Sequence, residues 1–225
     1  SQGQKMAIEM HLSTAGGGGS GDDDRALCEN YLVVLPTGGG KTVVIQIHAF
    51  FQYHHHSALS GLSIVVTPLV ALRNSQISEF LNNSAFPQEC CVVWQDLKKD
   101  ISRQKGLLAV PLGQSNLVFL FVTPEACEER SFLEFYGVLL GLRRVSRVYV
   151  DEAHNIVLAG EEFRPAYKSL AKNLGLKKEH GPSFTLLSAT IPKNDAHFSS
   201  KLTRHLGGML FQPVREKVEI GRAHV

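Results

Sequence analysis

Tyr31-Leu32-Val33-Val34-Leu35-Pro36-Thr37-Gly38-Gly39-Gly40-Lys41-Thr42 is an apolar run that changes abruptly into a glycine-rich turn ending in Lys-Thr. Tyr31–Leu35 reads as a buried strand, since it is continuous, apolar and rich in valine. Three glycines in a row remove every side chain from the turn, so backbone N–H groups can close around a compact, multiply charged anion such as a triphosphate. Lys41 has the reach for the β- and γ-phosphates, and the Thr42 hydroxyl can ligate magnesium. Val43–Tyr53 contains no Pro or Gly and reads as a helix whose N-terminus faces the anion. The general pattern G-x-x-x-x-G-K-[ST] asks for Gly at position 35, where this chain has Leu35. The plainer alternative is a glycine-rich turn that only joins a strand to a helix.

A second element answers the first. Val148–Val150 reads as another buried strand, and Asp151-Glu152-Ala153-His154 follows it. A carboxylate at such a strand end can hold magnesium, directly or through water, because that ion takes oxygen ligands and keeps several waters. Glu152 is then placed to orient or deprotonate a water attacking the γ-phosphate. The competing reading is an acidic turn that caps a helix beside a satisfied His154. Further apolar runs at Leu62–Val66, Cys91–Trp94, Leu117–Val122 and Phe184–Leu187 alternate with helical patterns. That alternation predicts an α/β fold with a mainly parallel sheet covered on both faces.

A chain of 225 residues suits one such domain with decoration. A net charge of +2 is too small to argue for a nucleic-acid partner. Lys98-Lys99, Arg143-Arg144 with Arg147, and Lys177-Lys178 read as solvated faces rather than binding patches. The four cysteines, Cys28, Cys90, Cys91 and Cys127, form no C-x-x-C pair, so zinc is not indicated. His54-His55-His56 reads as a polar helix exit, with metal binding as the alternative. No signal peptide and no apolar run of about 18 residues is present, so the expectation is a soluble, intracellular protein with reduced thiols and no membrane partner. Ala15–Asp24 is glycine- and aspartate-rich and cannot contribute to a core.

The order of the motifs resembles that of superfamily 2 helicases, and within them the RecQ group of DNA helicases. The Leu-Pro-Thr-Gly form of the loop, Pro36–Thr42, resembles that superfamily's first motif, and Asp151–His154 its second. Val66–Leu72 resembles motif Ia, Val122-Thr123-Pro124-Glu125 motif Ib, and Leu187-Ser188-Ala189-Thr190 motif III. Gln4-Lys5-Met6-Ala7-Ile8 looks like the tail of the RecQ adenine motif, and Gly160–Tyr167 like the end of its aromatic-rich loop.

The resemblance implies a RecA-like three-layer α/β/α lobe of a P-loop NTPase, over residues 25–212, with ATP and magnesium as ligands. Gln4 would contact adenine; Pro36, Thr37, Gly38, Gly39, Gly40, Lys41 and Thr42 would hold the phosphates, with Thr42 and Asp151 on magnesium. Lys41, Asp151, Glu152 and His154 would be catalytic, and Ser188, Ala189 and Thr190 would couple hydrolysis to movement. Thr67, Pro68, Arg73, Thr123, Pro124, Phe163 and Arg164 would contact single-stranded or forked DNA. Taken singly, each Thr-Pro is equally a strand stop, Arg73 a solvated side chain and Phe163 a core residue.

The implied activity is 3′ to 5′ translocation and unwinding, in DNA repair or recombination, in the nucleus of a eukaryote or otherwise the cytoplasm. An RNA helicase and an ATP-binding module without motor activity are the alternatives. The first shares the acidic box and Ser188-Ala189-Thr190. The second is motivated by Ala159, where RecQ proteins usually carry Trp, and by the second lobe that this chain is expected to lack. A lost aromatic platform would forgo about 1–3 kcal/mol of stacking per base. The ends read as truncated. Residues 1–14 are expected to be an incomplete adenine-motif helix, and a second RecA-like lobe with its arginine motif is expected beyond this chain. Glu219–Val225 resembles the in-frame translation of a sequencing adaptor and is set aside from the fold.

Overall fold

Mainly apolar runs of four to six residues suit strands buried on both faces, and five such strands line up in the middle of one sheet. The structure is a computed structural model that describes residues 30–54, 61–68, 77, 90–109, 117–158, 165–175, 182–190, 198–206 and 212–215. Its strands are β1 (Tyr31–Val34), β2 (Leu62–Val66), β3 (Cys91–Val93), β4 (Phe119–Val122), β5 (Val145–Val150), β6 (Ser183–Ser188) and β7 (Gln212–Arg215). Its helices are α1 (Lys41–His54), α2 (Trp94–Leu97), α3 (Ile101–Ala109), α4 (Arg130–Gly141), α5 (Asn155–Leu158), α6 (Ala166–Asn173) and α7 (Phe198–His205), with a 3-10 turn at Ala126–Glu128.

The sheet has seven strands in the order β3-β4-β2-β5-β6-β1-β7, and every pairing is parallel. Period-2 alternation divides its side chains between two cores. Tyr31, Val33, Leu35, Val65, Tyr149 and Leu187 face α1 through Val44, Ile45 and Ala49. Leu32, Ile64, Val66, Leu120, Val148 and Phe184 face the other side, under residues of α2, α4, α6 and α7. This is the three-layer architecture that the strand–helix alternation predicts. Asn30 pins the start of β1 to the neighbouring strand: its Oδ1 accepts from the Phe184 N–H at 2.8 Å.

Three details depart from the sequence reading. β7 is absent from that reading, because Gln212-Pro213-Val214-Arg215 is short and Pro213 lacks an N–H. Such a strand fits an edge, and β7 pairs with β1 there. It also carries the sheet past residue 212, where the lobe was expected to end. Trp94 opens α2 instead of closing β3, and its ring is buried edge-on to Phe132 at 5.2 Å. Arg147 is not on a solvated face. It is 2% exposed, donates from Nη1 to the Thr185 Oγ1 at 3.1 Å, and lies 5.5 Å over the Tyr31 ring. Alternation along β5 puts it on the Tyr149 face, where the chemistry of a lone residue name gives no hint of burial.

Burial pushes the Cys91 thiol up to about 12, which leaves it unreactive at neutral pH. Cys28, the 1–14 and 15–24 segments, His55-His56, Lys177-Lys178 and Glu219–Val225 lie outside the described residues. Among those described, no helix is long and apolar enough to cross a membrane.

Ile64 is fully buried at the centre of β2, between β4 and β5. Ile64→Ala is expected to lower stability by about 2–5 kcal/mol in chemical denaturation. A loss below about 1 kcal/mol would contradict this account of the core.

Candidate active site

Parallel strands bring every C-terminal end to one edge, and in this sheet that edge collects the motifs. In spatial order, β4 ends at Thr123-Pro124, β2 at Thr67-Pro68, β5 at Asp151, β6 at Ser188 and β1 at the glycine-rich loop. Backbone bonds tie each exit to its neighbour. Thr67 N–H donates to Val122 O at 3.0 Å, Asp151 N–H to Val66 O at 2.8 Å, Ala153 N–H to Leu187 O at 2.9 Å, and Leu35 N–H to Ser188 O at 3.0 Å.

The loop shows why its glycines sit where they do. Gly38 and Gly40 have φ of 77° and 95°, a region costly for other residues. Gly39 closes the turn by donating to Pro36 O at 2.9 Å, and a Cβ there would meet that same oxygen at 2.9 Å. Leu35 is buried and still bonded to β6, so position 35 needs no glycine. Lys41 is the first residue of α1, whose first turn carries no acidic residue, so the helix dipole faces the loop uncompensated. Thr42 beside it is exposed.

Lys41 reaches across to the acidic turn. Its Nζ donates to Glu152 Oε1 at 3.3 Å. The other carboxylate oxygen, Oε2, lies 3.2 Å from His154 Nδ1, and that nitrogen is 3.1 Å from Ser188 Oγ. Ser188 Oγ donates its one proton to Thr190 O at 2.7 Å and accepts from Thr190 N–H at 3.3 Å. With the Ser188 proton directed to Thr190, the tautomer protonated at Nδ1 lets His154 donate to Ser188 Oγ, with the Glu152 carboxylate alongside. The result is a continuous line, Lys41–Glu152–His154–Ser188–Thr190, from the loop on β1 through β5 to β6. The Lys41–Glu152 pair is partly buried, its side chains 17% and 30% exposed, and a more highly charged anion can compete for the ammonium.

Asp151 has a different environment. Burial, the largest influence, raises its carboxyl above the ordinary range; Lys41 works against this and the Glu152 charge adds to it. Its Oδ1 accepts from the Glu152 N–H at 2.9 Å. A desolvated carboxylate next to a threonine-bearing phosphate loop is the donor chemistry that magnesium takes, with phosphate oxygens and water completing the shell. Thr42 and Asp151 would hold that ion.

At the β4 end, Thr123 Oγ1 accepts from the Ala126 N–H at 3.2 Å, which builds the 3-10 turn and leaves its own proton free to donate. Thr67 is only 6% exposed, so Pro68 presents more surface at the β2 end. Gln4, Arg73, Phe163 and Arg164 lie outside the described residues.

Two residues gained no role from the sequence. Glu129 gathers the β3 exit, accepting from Trp94 Nε1 at 3.1 Å, Gln95 Nε2 at 3.2 Å and Lys98 Nζ at 3.1 Å. Burial alone would raise its carboxyl, but these donors bring it below the usual value. Tyr167 is fully buried in α6, and its hydroxyl donates to Asp151 O at 3.2 Å. Tyr167 closes the segment that resembles the RecQ aromatic-rich loop, but that resemblance gave it no role; a tyrosine on a buried helix face must find such an acceptor, and that need is the physical signal.

The sequence model of the DEAD/DEAH box helicase family matches residues 3–198. The ATP-dependent DNA helicase RecQ of Synechocystis is 34% identical over 153 residues, which cover 67% of this chain and 28% of that protein. The mouse ATP-dependent DNA helicase Q5 is 30% identical over 174 residues, covering 73% and 16%. This chain therefore spans under a third of the length of either relative. Among solved structures, the DUF1998 helicase MrfA bound to DNA superposes with a TM-score of 0.61 at 15% identity, covering 94% of this chain and 25% of that one. The Hef helicase domain of Pyrococcus furiosus gives 0.56 at 20%, covering 93% and 38%. At these identities the two structures speak for the fold alone.

Because the folded state raises the Asp151 carboxyl, its charged form costs stability above that raised value, and the cost disappears as pH falls through it. Asp151→Asn is therefore expected to melt higher than the parent at pH 7, with the gap closing towards pH 4. A lower melting temperature for the variant at pH 7, in thermal denaturation without nucleotide, would contradict the burial argument.

Proposed function

The chain belongs to the DEAD/DEAH box helicase family, and on that premise we propose that it forms the ATP-binding lobe of a RecQ-like, 3′ to 5′ DNA helicase. The observation that carries this reading is the line Lys41–Glu152–His154–Ser188, which joins the phosphate loop, the acidic turn and the β6 exit. The backbone amides of Gly38–Thr42 cradle the triphosphate, and Gln4 contacts the adenine. Incoming phosphates take the Lys41 ammonium from Glu152. The freed carboxylate then orients the attacking water and takes its proton. Thr42 and Asp151 would hold magnesium, which would supply positive charge against the phosphates. His154 feels the change at Glu152 and passes it to Ser188, Ala189 and Thr190, next to the strand exits.

Single-stranded or forked DNA runs along those exits, against Thr67, Pro68, Thr123 and Pro124, with Arg73, Phe163 and Arg164 as further contacts. Phosphate-directed hydroxyls and amides of this kind fix register without reading sequence. A second RecA-like lobe supplies arginine fingers, which can contribute about 10³–10⁵ in rate. On this reading the protein acts in DNA repair or recombination, in the nucleus of a eukaryote or otherwise the cytoplasm.

In the full-length protein, Glu152→Gln is expected to keep ATP affinity while DNA-stimulated turnover falls by at least about 100-fold. Unchanged turnover would remove Glu152 from the mechanism. Single-stranded DNA is expected to stimulate hydrolysis more than RNA of the same length. The reverse order would make this an RNA helicase, and ATP binding without stimulated hydrolysis would make it a binding module.

A further inference from the structure

Glu152 holds an unfavourable backbone conformation, and the structure shows what keeps it there. Its φ is 50°, in the left-handed region that side-chain-bearing residues occupy at a cost. Both peptides that flank it are pinned. The following one is held by two bonds, from Ala153 N–H to Leu187 O at 2.9 Å and from Asn155 N–H to Glu152 O at 2.9 Å. In the preceding one, the Glu152 N–H donates to Asp151 Oδ1 at 2.9 Å, and the carbonyl of Asp151 accepts the Tyr167 hydroxyl at 3.2 Å. Three of these four bonds come from the acidic turn and the adjacent strand β6. The fourth comes from a separate helix, through a side chain with no other place in the proposed reaction.

The helix that delivers Tyr167 is itself well anchored. Ser169 Oγ donates to Glu128 Oε1 at 2.6 Å, tying α6 to the 3-10 turn after β4. A separate bond, remote from Asp151, lies beyond the C-terminal end of α6, where Leu174 O accepts the hydroxyl of Tyr136 on α4 at 2.9 Å. Within α6 itself, Ala166, Leu170 and Ala171 are buried. The Tyr167 hydroxyl thus approaches from a fixed direction and cannot follow the peptide if that peptide rotates.

We propose that Tyr167 is a positioning residue for ATP hydrolysis. Its hydroxyl locks the peptide between Asp151 and Glu152, which aims the Glu152 carboxylate at Lys41 and His154. The role rests on the proposed function of Glu152 as the group that orients water. Losing the hydroxyl leaves the triphosphate contacts in place but lets the Glu152 backbone relax, so the chemical step slows while ATP binding persists. Tyr136 supplies a matched control. It makes the same type of buried tyrosine-to-carbonyl bond to the same helical unit, but at the end remote from Asp151.

The test compares the full-length protein with its Tyr167→Phe and Tyr136→Phe variants in steady-state ATP hydrolysis with single-stranded DNA. Tyr167→Phe is expected to lower kcat about 10-fold, equivalent to about 1.4 kcal/mol, with KM for ATP changed less than about twofold. Tyr136→Phe is expected to leave kcat within about twofold of the parent. Fluorescent-nucleotide binding at parental affinity confirms that the Tyr167→Phe variant is folded. Parental kcat in Tyr167→Phe, or an equal fall in both variants, overturns the positioning role. A parent protein that hydrolyses no ATP overturns the proposed function itself, and this role with it.

Discussion

A parallel sheet can be built only from crossovers, and each crossover returns the chain to the same end of the sheet before the next strand begins. Five strand exits therefore stand in a row here, at β4, β2, β5, β6 and β1. Residues far apart in the chain become neighbours because the strands that launch them are neighbours. β6 matters most in this arrangement. It lies between β5 and β1, so Ser188 at its end faces the acidic turn on one side and bonds Leu35 on the other. The buried aliphatic runs have no chemistry of their own, but they hold this order.

Upon that edge the chain departs from ordinary rules at the positions with a proposed role in hydrolysis. Gly38 and Gly40 take positive φ, which costs a glycine little. Glu152 takes it too, at a cost, and is held by bonds on both sides. Asp151 keeps a carboxylate where burial disfavours its charge. Lys41 offsets part of that penalty and also pairs with Glu152. Gly38, Gly40 and Glu152 are three of the five described residues with positive φ, the others being Arg143 and Gly175, and such a concentration is the pattern expected of a functional site.

Much of this was legible in the sequence because the signals were local. Leu62–Val66 occupies the predicted span, and β1, β4, β5 and β6 begin or end within a few residues of theirs, since a mainly apolar run has few ways to be buried. Leu35 departs from the general phosphate-loop pattern; it follows β1 directly and is still bonded to β6, so the turn simply begins later. What escaped were features that depend on a partner distant in sequence. Arg147 reads as a surface cation until β5 is placed beside β6 and β1. Gln212–Arg215 has too little apolar character to read as a strand without β1 to pair with. The bond from Tyr167 to Asp151 links a helix and a turn that no periodicity relates. Gln4, Arg73, Phe163 and Arg164, which the resemblance adds to the site, fall outside the described residues.

At the centre stands the exchange of Lys41 from Glu152 to phosphate. A crystal structure of the protein with magnesium and a non-hydrolysable ATP analogue measures it directly. The expected result places the Lys41 ammonium on the β- and γ-phosphates, magnesium between Thr42 and Asp151, and Glu152 released towards a water in line with the γ-phosphate. A Lys41–Glu152 pair that stays intact, with the nucleotide bound elsewhere, would contradict the account.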